Sequence, residues 1–274
     1  MQGRIYLSIG GKYQIKDTDG NIHLLPAAGV FRHNNITPLV GDYVEFNNGF
    51  VNQILERRNS FVRPKVANID HIIVVMSAVL PNFSTFLVDK YLALIEGNGV
   101  EPIIFVTKTD LGHCQESIWY QQLGYQVYEI NYQTSEWLET TRQIFDHKTC
   151  SLMGQSGVGK TTFINKLLNL NLETQTIAKN AQRGKHTTRT VQIYDVFAGY
   201  LIDTPGFSSL DIQLTKAELA RSFKLFKELG AFCKFKTCLH ENEPTNFCNI
   251  KLNVGTKIPQ FRYDNYLKLL KEAK

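Results

Sequence analysis

The sequence predicts a multidomain chain: an open α/β sheet of the P-loop type, with a small β-barrel before it and a helical, metal-binding module after it. Three observations carry this reading. The first sixty or so residues hold five short strand-like runs separated by turn residues. From Asn68 onward apolar strand runs alternate with helical periodicity, and one of them leads into Gly154-Gln155-Ser156-Gly157-Val158-Gly159-Lys160-Thr161. Near the end stands Cys233-x4-Cys238-x-His240-x7-Cys248, four soft donors within sixteen residues.

The strand candidates of the first domain, residues 1–62, are Gly3 to Ser8, Lys12 to Lys16, Ile22 to Leu25, Asp42 to Phe46 and Phe50 to Leu55. Asp19-Gly20 and Asn47-Asn48-Gly49 supply turns between them. Five strands of this length suit an OB-type barrel, a surface often used for nucleic acid, and composition alone allows an SH3-like barrel equally well. Arg57, Arg58, Arg63 and Lys65 mark the linker. The second domain, 63–211, reads as an open parallel sheet. Its strands are Ile72 to Met76, 103–106, 126–130, Thr149 to Met153 and Tyr200 to Ile202, and its helices lie near Phe86 to Glu96 and Thr162 to Leu170. In the third, 212–274, Thr215-x-x-Glu218 forms a capping box that opens a helix carrying Leu219, Phe223 and Phe226 at helical spacing. Gln260 to Lys274 is another amphipathic, basic helix. Cys114 and Cys150 read as core thiols.

The loop from Gly154 to Thr161 matches G-x-x-x-x-G-K-[ST] between a strand and a helix. Its glycines let the backbone bend so that N–H groups face phosphate oxygens, and the helix N-terminus adds a positive dipole end. Lys160 is then placed for the β and γ phosphates, the Thr161 hydroxyl for Mg²⁺. A nucleoside triphosphate is the expected ligand.

Thr107-Lys108-Thr109-Asp110 follows the apolar run Ile103 to Val106. A carboxylate there accepts two hydrogen bonds from the N1–H and exocyclic amine of guanine, a donor pair that adenine lacks. Asp110 is the expected base reader, the Lys108 stem packs along the base, and Thr107 replaces the usual Asn. Asp203-Thr204-Pro205-Gly206 follows Tyr200-Leu201-Ile202, as expected of a carboxylate that holds Mg²⁺ through water and a glycine that meets the γ-phosphate. A GTPase in ordinary chain order puts the phosphate loop first and the base reader last. Here the same parts are cyclically shifted.

Phe207 follows Gly206 where a Ras-like site has a water-orienting Gln, so hydrolysis must rely on another group or on a partner. The stretch Arg183-Gly184-Lys185-His186-Thr187-Thr188-Arg189 suits a switch loop whose Thr closes on Mg²⁺ and the γ-phosphate. Thr188 is the first choice for that Thr and Thr187 the second. His186 is a candidate to position water, with a solvated or RNA-contacting loop residue as the alternative.

Three thiols and an imidazole at Cys233, Cys238, His240 and Cys248 suit one closed, structural Zn²⁺ site; disulfides or unrelated buried thiols are the alternative. With five Cys in 274 residues and no charged-then-apolar export signal in Met1 to Gly10, a reducing, cytoplasmic setting is expected. No apolar run approaches the roughly eighteen residues that cross a bilayer. Formal charge is +5 and uneven. Residues 213–274 hold 12 Lys+Arg against 6 Asp+Glu, and residues 1–212 hold 18 against 19. A basic module points toward a phosphate-rich partner, although a solvated helical face gives the same count.

The barrel, the shifted motif order, His186-Thr187-Thr188, Asp203 to Phe207 and the Cys/His cluster, taken in sequence, resemble the RsgA (YjeQ) family of small-ribosomal-subunit biogenesis GTPases over the whole chain. The resemblance implies an N-terminal OB barrel, a circularly permuted GTPase domain and a C-terminal helical zinc module. It implies guanine contacts at Thr107, Lys108, Thr109 and Asp110, and phosphate and Mg²⁺ contacts from Gly154 to Thr162. It also implies late small-subunit assembly, with GTP hydrolysis stimulated by that subunit. A monomer bound to the subunit, its rRNA and GTP or GDP is expected. Three departures stand out: Thr107 for Asn, seven rather than five residues between His240 and Cys248, and Ile130-Asn131-Tyr132 in place of the Ser-Ala-like loop behind the base. The alternative function is an RNA-binding module in which guanine nucleotide is mainly structural.

Overall fold

The computed structural model describes residues 1–34, 36–61, 64–174, 191–204 and 214–274, with the backbone alone for Arg32 and residues 170–174. The barrel strands are β1 (Gln2–Ile9), β2 (Lys12–Asp17), β3 (Ile22–Pro26), β4 (Tyr43–Phe46) and β5 (Val51–Ile54). β1 pairs with β2 and with β4, β2 with β3 and β4 with β5, all antiparallel. A bridge from Ala27 to Val51 closes the path β1-β2-β3-β5-β4. That five-stranded closure, with the short helix α1 (Gly29–His33) between β3 and β4, is the OB-type arrangement. Alternation along the strands turns Ile5, Ile15, Val44, Phe46 and Val51 inward, where they are buried.

Two of the linker arginines, Arg57 and Arg58, are tied down. Arg57 makes a two-pronged pair with buried Asp42 (Nε to Oδ1 2.7 Å, Nη2 to Oδ2 2.8 Å). Arg58 Nη1 lies 2.5 Å from Asp70 Oδ1, and Asp70 also accepts from the Thr149 amide. Arg63 lies outside the described residues. A two-stranded ribbon of β6 (Ser60–Phe61) and β7 (Val66–Ala67) then leads into the central sheet.

That sheet is built from β8 (His71–Ser77), β9 (Glu101–Thr107), β10 (Gln126–Ile130), β11 (Thr149–Met153), β12 (Gln192–Val196) and β13 (Gly199–Asp203). Their spatial order is β10-β9-β8-β11-β13-β12. The first five are parallel, and β12 returns antiparallel to β13. The sheet is therefore mixed rather than wholly parallel, because two residues between β12 and β13 leave room only for a hairpin. β1 of the barrel adds to β12 at Leu7 opposite Gln192, so barrel and central sheet run together.

Helices α2 (Thr85–Gly97), α3 (Glu116–Gln122), α4 (Glu136–Phe145) and α5 (Lys160–Thr174) cover the sheet. Period-two alternation divides the apolar strand residues between two cores. Ile72, Val74, Met76, Ile104 and Val106 face the side of α2, whereas Ile73, Val75, Ile103 and Phe105 face the side of α5. Cys114 and Cys150 are both buried.

The C-terminal module consists of α6 (Lys216–Leu219), α7 (Lys224–Gly230), a 3-10 turn at Thr245–Phe247, α8 (Asn249–Leu252) and α9 (Gln260–Glu272). Thr215 caps α6 through the expected box with Glu218. The expected single helix through Leu219, Phe223 and Phe226 is instead two. Phe223 is extended (φ −69°, ψ 132°), and the amide that follows it, of Lys224, donates to Glu96 of α2 at 3.2 Å. Leaving the helix there carries the Phe223 ring beneath the Arg262 guanidinium, at 4.6 Å. Arg262 on α9 is 1% exposed and faces fully buried Asp89 on α2, so an ion pair lies inside the seam between the module and the sheet domain. Among the described residues no helix is long and apolar enough to cross a membrane.

Candidate functional site

The C-terminal ends of β9, β8, β11 and β13 meet along one edge of the sheet, where an open α/β sheet places its ligands. The phosphate-type loop leaves β11 there. Gly154 has φ +155°, and a Cβ on it would sit 2.2 Å from the Val75 carbonyl oxygen, so only glycine lets the loop start this close to β8. Val158 is buried in the α5-side core and anchors the middle of the loop, while Ser156 and Gly157 are exposed. The Lys160 ammonium donates to the carbonyls of Gly154 (2.5 Å) and Gln155 (2.7 Å), which holds it across the loop. Burial holds its pKa below the ordinary lysine value. Thr161 and Thr162 are exposed in the first turn of α5.

The second motif ends β9. Thr107 is buried, and its hydroxyl lies 2.5 Å from the Val158 carbonyl and 3.2 Å from that of Met76. With one hydrogen to give, it donates to the nearer carbonyl, so the Thr-Lys-Thr-Asp motif is fastened directly to the phosphate loop. Lys108 takes a positive φ of 57° and donates through Nζ to the Leu80 carbonyl. Thr109 is half-buried and Asp110 exposed at the same edge. Ser77 Oγ donates to the Pro81 carbonyl at 2.6 Å, which fixes the loop after β8 beside this motif. Asp203 closes β13, and the neighbouring Thr204 hydroxyl lies 3.3 Å from Ser151 Oγ of β11. The Ser77–Pro81 bond and the Ser151–Thr204 pair carry no sequence signature.

The structure thus brings together Thr107, Lys108, Thr109, Asp110, Gly154 to Thr162 and Asp203 at one edge. Lys185, His186, Thr187, Thr188, Gly206 and Phe207 lie outside the described residues. In Ile130-Asn131-Tyr132 the Asn131 side chain accepts from the Gln133 amide at 2.9 Å, and the Tyr132 ring lies under Lys166 and edge-on to Trp137.

The Cys/His cluster stands apart, in the C-terminal module. Ligand atoms of Cys233, Cys238, His240 and Cys248 all lie within 4.8 Å of one another. His240 Nε2 is 3.3 Å from the Ala220 carbonyl, so the proton sits there and the Nδ1 lone pair faces the sulfurs of Cys233 (3.7 Å) and Cys248 (3.4 Å). Burial keeps the imidazole below its ordinary pKa, hence neutral. Burial also pushes the Cys238 and Cys248 thiols up, which makes a divalent cation the natural partner for their charged forms. Donor type, separation and tautomer all fit a tetrahedral Zn²⁺. The longer spacing after His240 is taken up by the 3-10 turn, where Phe247 N donates to Pro244 O and Cys248 N to Thr245 O.

Against known proteins, residues 54–213 match the sequence model of the RsgA GTPase and residues 2–52 that of the RsgA N-terminal domain. A small ribosomal subunit biogenesis GTPase RsgA from Mycoplasmopsis agalactiae is 61% identical over 276 residues, covering 100% of this chain and 98% of the relative. Its namesake from Mycoplasmopsis pulmonis is 44% identical, with 100% of both chains covered. Among solved structures, YloQ, described as a circularly permuted GTPase, is similar with TM-score 0.79 and 35% identity over 99% of this chain and 94% of that one. YjeQ from Thermotoga maritima gives TM-score 0.81 and 30% identity over 99% and 97%.

Proposed function

The chain belongs to the RsgA GTPase family, and from that premise we propose that it is a GTP-hydrolysing factor in late maturation of the small ribosomal subunit. The observation that carries the site is the Thr107 hydroxyl on the Val158 carbonyl, which joins two motifs 51 residues apart into one pocket edge. In this reading Asp110 accepts from the N1–H and exocyclic amine of guanine, and Lys108, tethered at Leu80, lays its stem along the base. The amides from Gly154 to Thr162 face the phosphates, with Lys160 turning from its two carbonyls toward the β and γ oxygens. Thr161, Thr188 and Asp203 are the residues that would hold Mg²⁺. When bound, that ion would supply charge neutralisation at the β and γ phosphates. Gly206 meets the γ-phosphate, and His186 positions the attacking water. Cys233, Cys238, His240 and Cys248 would hold one structural Zn²⁺.

The domain division 1–62, 63–211 and 212–274 gives each task its own unit, and the chain acts as a cytoplasmic monomer. The barrel and the basic C-terminal module face rRNA, while GTP orders the loop around Thr188 and sets the time of departure. Titrating GTP turnover against purified small subunits, large subunits and free rRNA tests this. Acceleration by small subunits alone is the expected result. Turnover indifferent to all three would favour the passive RNA-binding module instead.

A further inference from the structure

We propose that the loop beside the Cys/His cluster, Phe232 to Lys236, is a stacking platform for unpaired RNA bases, with Phe232 taking the face of a base and Lys236 an adjoining phosphate. The proposal rests on the rRNA-facing reading above and names the kind of RNA this surface takes.

Phe232 is 79% exposed, the most exposed large apolar side chain among the described residues, and it makes no ring contact there. Its backbone is nonetheless fixed. Phe232 N donates to Leu229 O, Cys233 N to Gly230 O, Lys234 N to Phe247 O, and the Cys233 sulfur accepts from Asn249 N at 3.3 Å. The metal-ligand loop therefore holds the ring out into water on a rigid support, so little conformational entropy is lost when something covers it. Phe235, 43% exposed, stands edge-on to Phe247 at 5.9 Å, and the Lys234 ammonium sits 3.9 Å from the Phe247 centroid. A cleft of about 380 Å³ beside the loop is lined by Arg221, Lys227, Phe235 and Lys236. From residue 221 to 237 there are five Lys/Arg against one acidic residue, Glu228.

An apolar protein partner would ask for a contiguous apolar patch. Here single rings are set among ammonium and guanidinium groups. Aromatic faces interleaved with cations match a single strand, whose bases stack and whose phosphates pair. Paired bases in an A-form duplex offer no free face, so the platform selects loops, bulges and ends.

The test uses the full-length, zinc-loaded protein with a non-hydrolysable GTP analogue and two blunt-ended RNA duplexes with identical ends and no loop, one of them carrying a single bulged 2-aminopurine. The bulge should be preferred and its fluorescence quenched on binding. Phe232→Ala should weaken bulge binding about five- to a hundredfold while leaving the salt dependence unchanged, and Phe232→Trp should restore it. Lys236→Gln should instead lower the log–log salt slope by about 0.7. Zinc content and GTP affinity, measured alongside, report that each variant is folded. Equal bulge affinity for wild type and Phe232→Ala, or equal affinity for bulge and duplex, would overturn the proposal. Small-subunit stimulation of wild-type GTP turnover is measured separately. Its absence would defeat the assembly-factor reading, whereas stimulation with an indifferent Phe232→Ala would defeat the platform alone.

Discussion

Thr107, 2% exposed, carries its hydroxyl to the Val158 carbonyl and so ties the end of β9 to the phosphate loop. The sequence marks Thr107 only as a departure from Asn. Its work depends on a partner 51 positions away, which no local pattern encodes. Thr107→Val keeps the shape and removes the donor, leaving a buried carbonyl unpaired at a cost of about 1 to 3 kcal/mol. Calorimetry should show GTP and GDP binding weakened by about five- to a hundredfold with zinc retained. Asp110 is the opposite case, since its place in Thr-Lys-Thr-Asp, read together with the phosphate-loop motif, makes guanine the expected base from sequence. Asp110→Ala should cost on the order of 2 to 4 kcal/mol of affinity for both nucleotides. Unchanged calorimetric affinity would reject it as the base reader.

At the scale of elements, periodicity is informative wherever a run is long enough to show it. The unbroken apolar runs of β8 and β9 are legible because burial on both faces demands them, and α2 is legible from its length. α1 has five residues and no repeat, so nothing in Gly29–His33 announces it. The stripe Leu219, Phe223, Phe226 misleads because the same spacing serves one helix or two, and the break follows from Glu96 and Arg262, which lie far off in sequence. The Cys/His cluster is legible from spacing alone, although the 3-10 turn before Cys248 is not. Metal analysis should find about one Zn per chain. Cys238→Ser should lose it and unfold the C-terminal module while GTP binding persists, and full zinc occupancy in that variant would contradict the ligand set.

For the whole molecule, the seam between α2 and α9 joins the C-terminal module to the sheet domain. Burial lifts Asp89 to about 6, against the opposing pull of Arg262. A carboxylate whose folded pKa exceeds its unfolded value favours the fold most when protonated. Its contribution is complete below about pH 4 and is lost as pH rises through about 6. Asp89→Asn should therefore flatten the pH dependence of stability between 4 and 6 relative to wild type. Melting curves across that range decide the point, and an unchanged pH slope in Asp89→Asn would contradict it. Such a pair, 173 residues apart, is invisible to motif reading, whereas the permuted order of the three nucleotide motifs is visible at once.

In the proposed cycle, nucleotide state governs attachment to the small subunit. Affinity for purified small subunits, measured by cosedimentation with a non-hydrolysable GTP analogue and with GDP, tests it most directly. Binding should be at least about tenfold tighter with the analogue, a coupling of about 1.4 kcal/mol. Thr188→Ala should erase that difference while leaving GDP affinity intact. Equal affinity in the two nucleotide states of the wild-type protein would contradict the account.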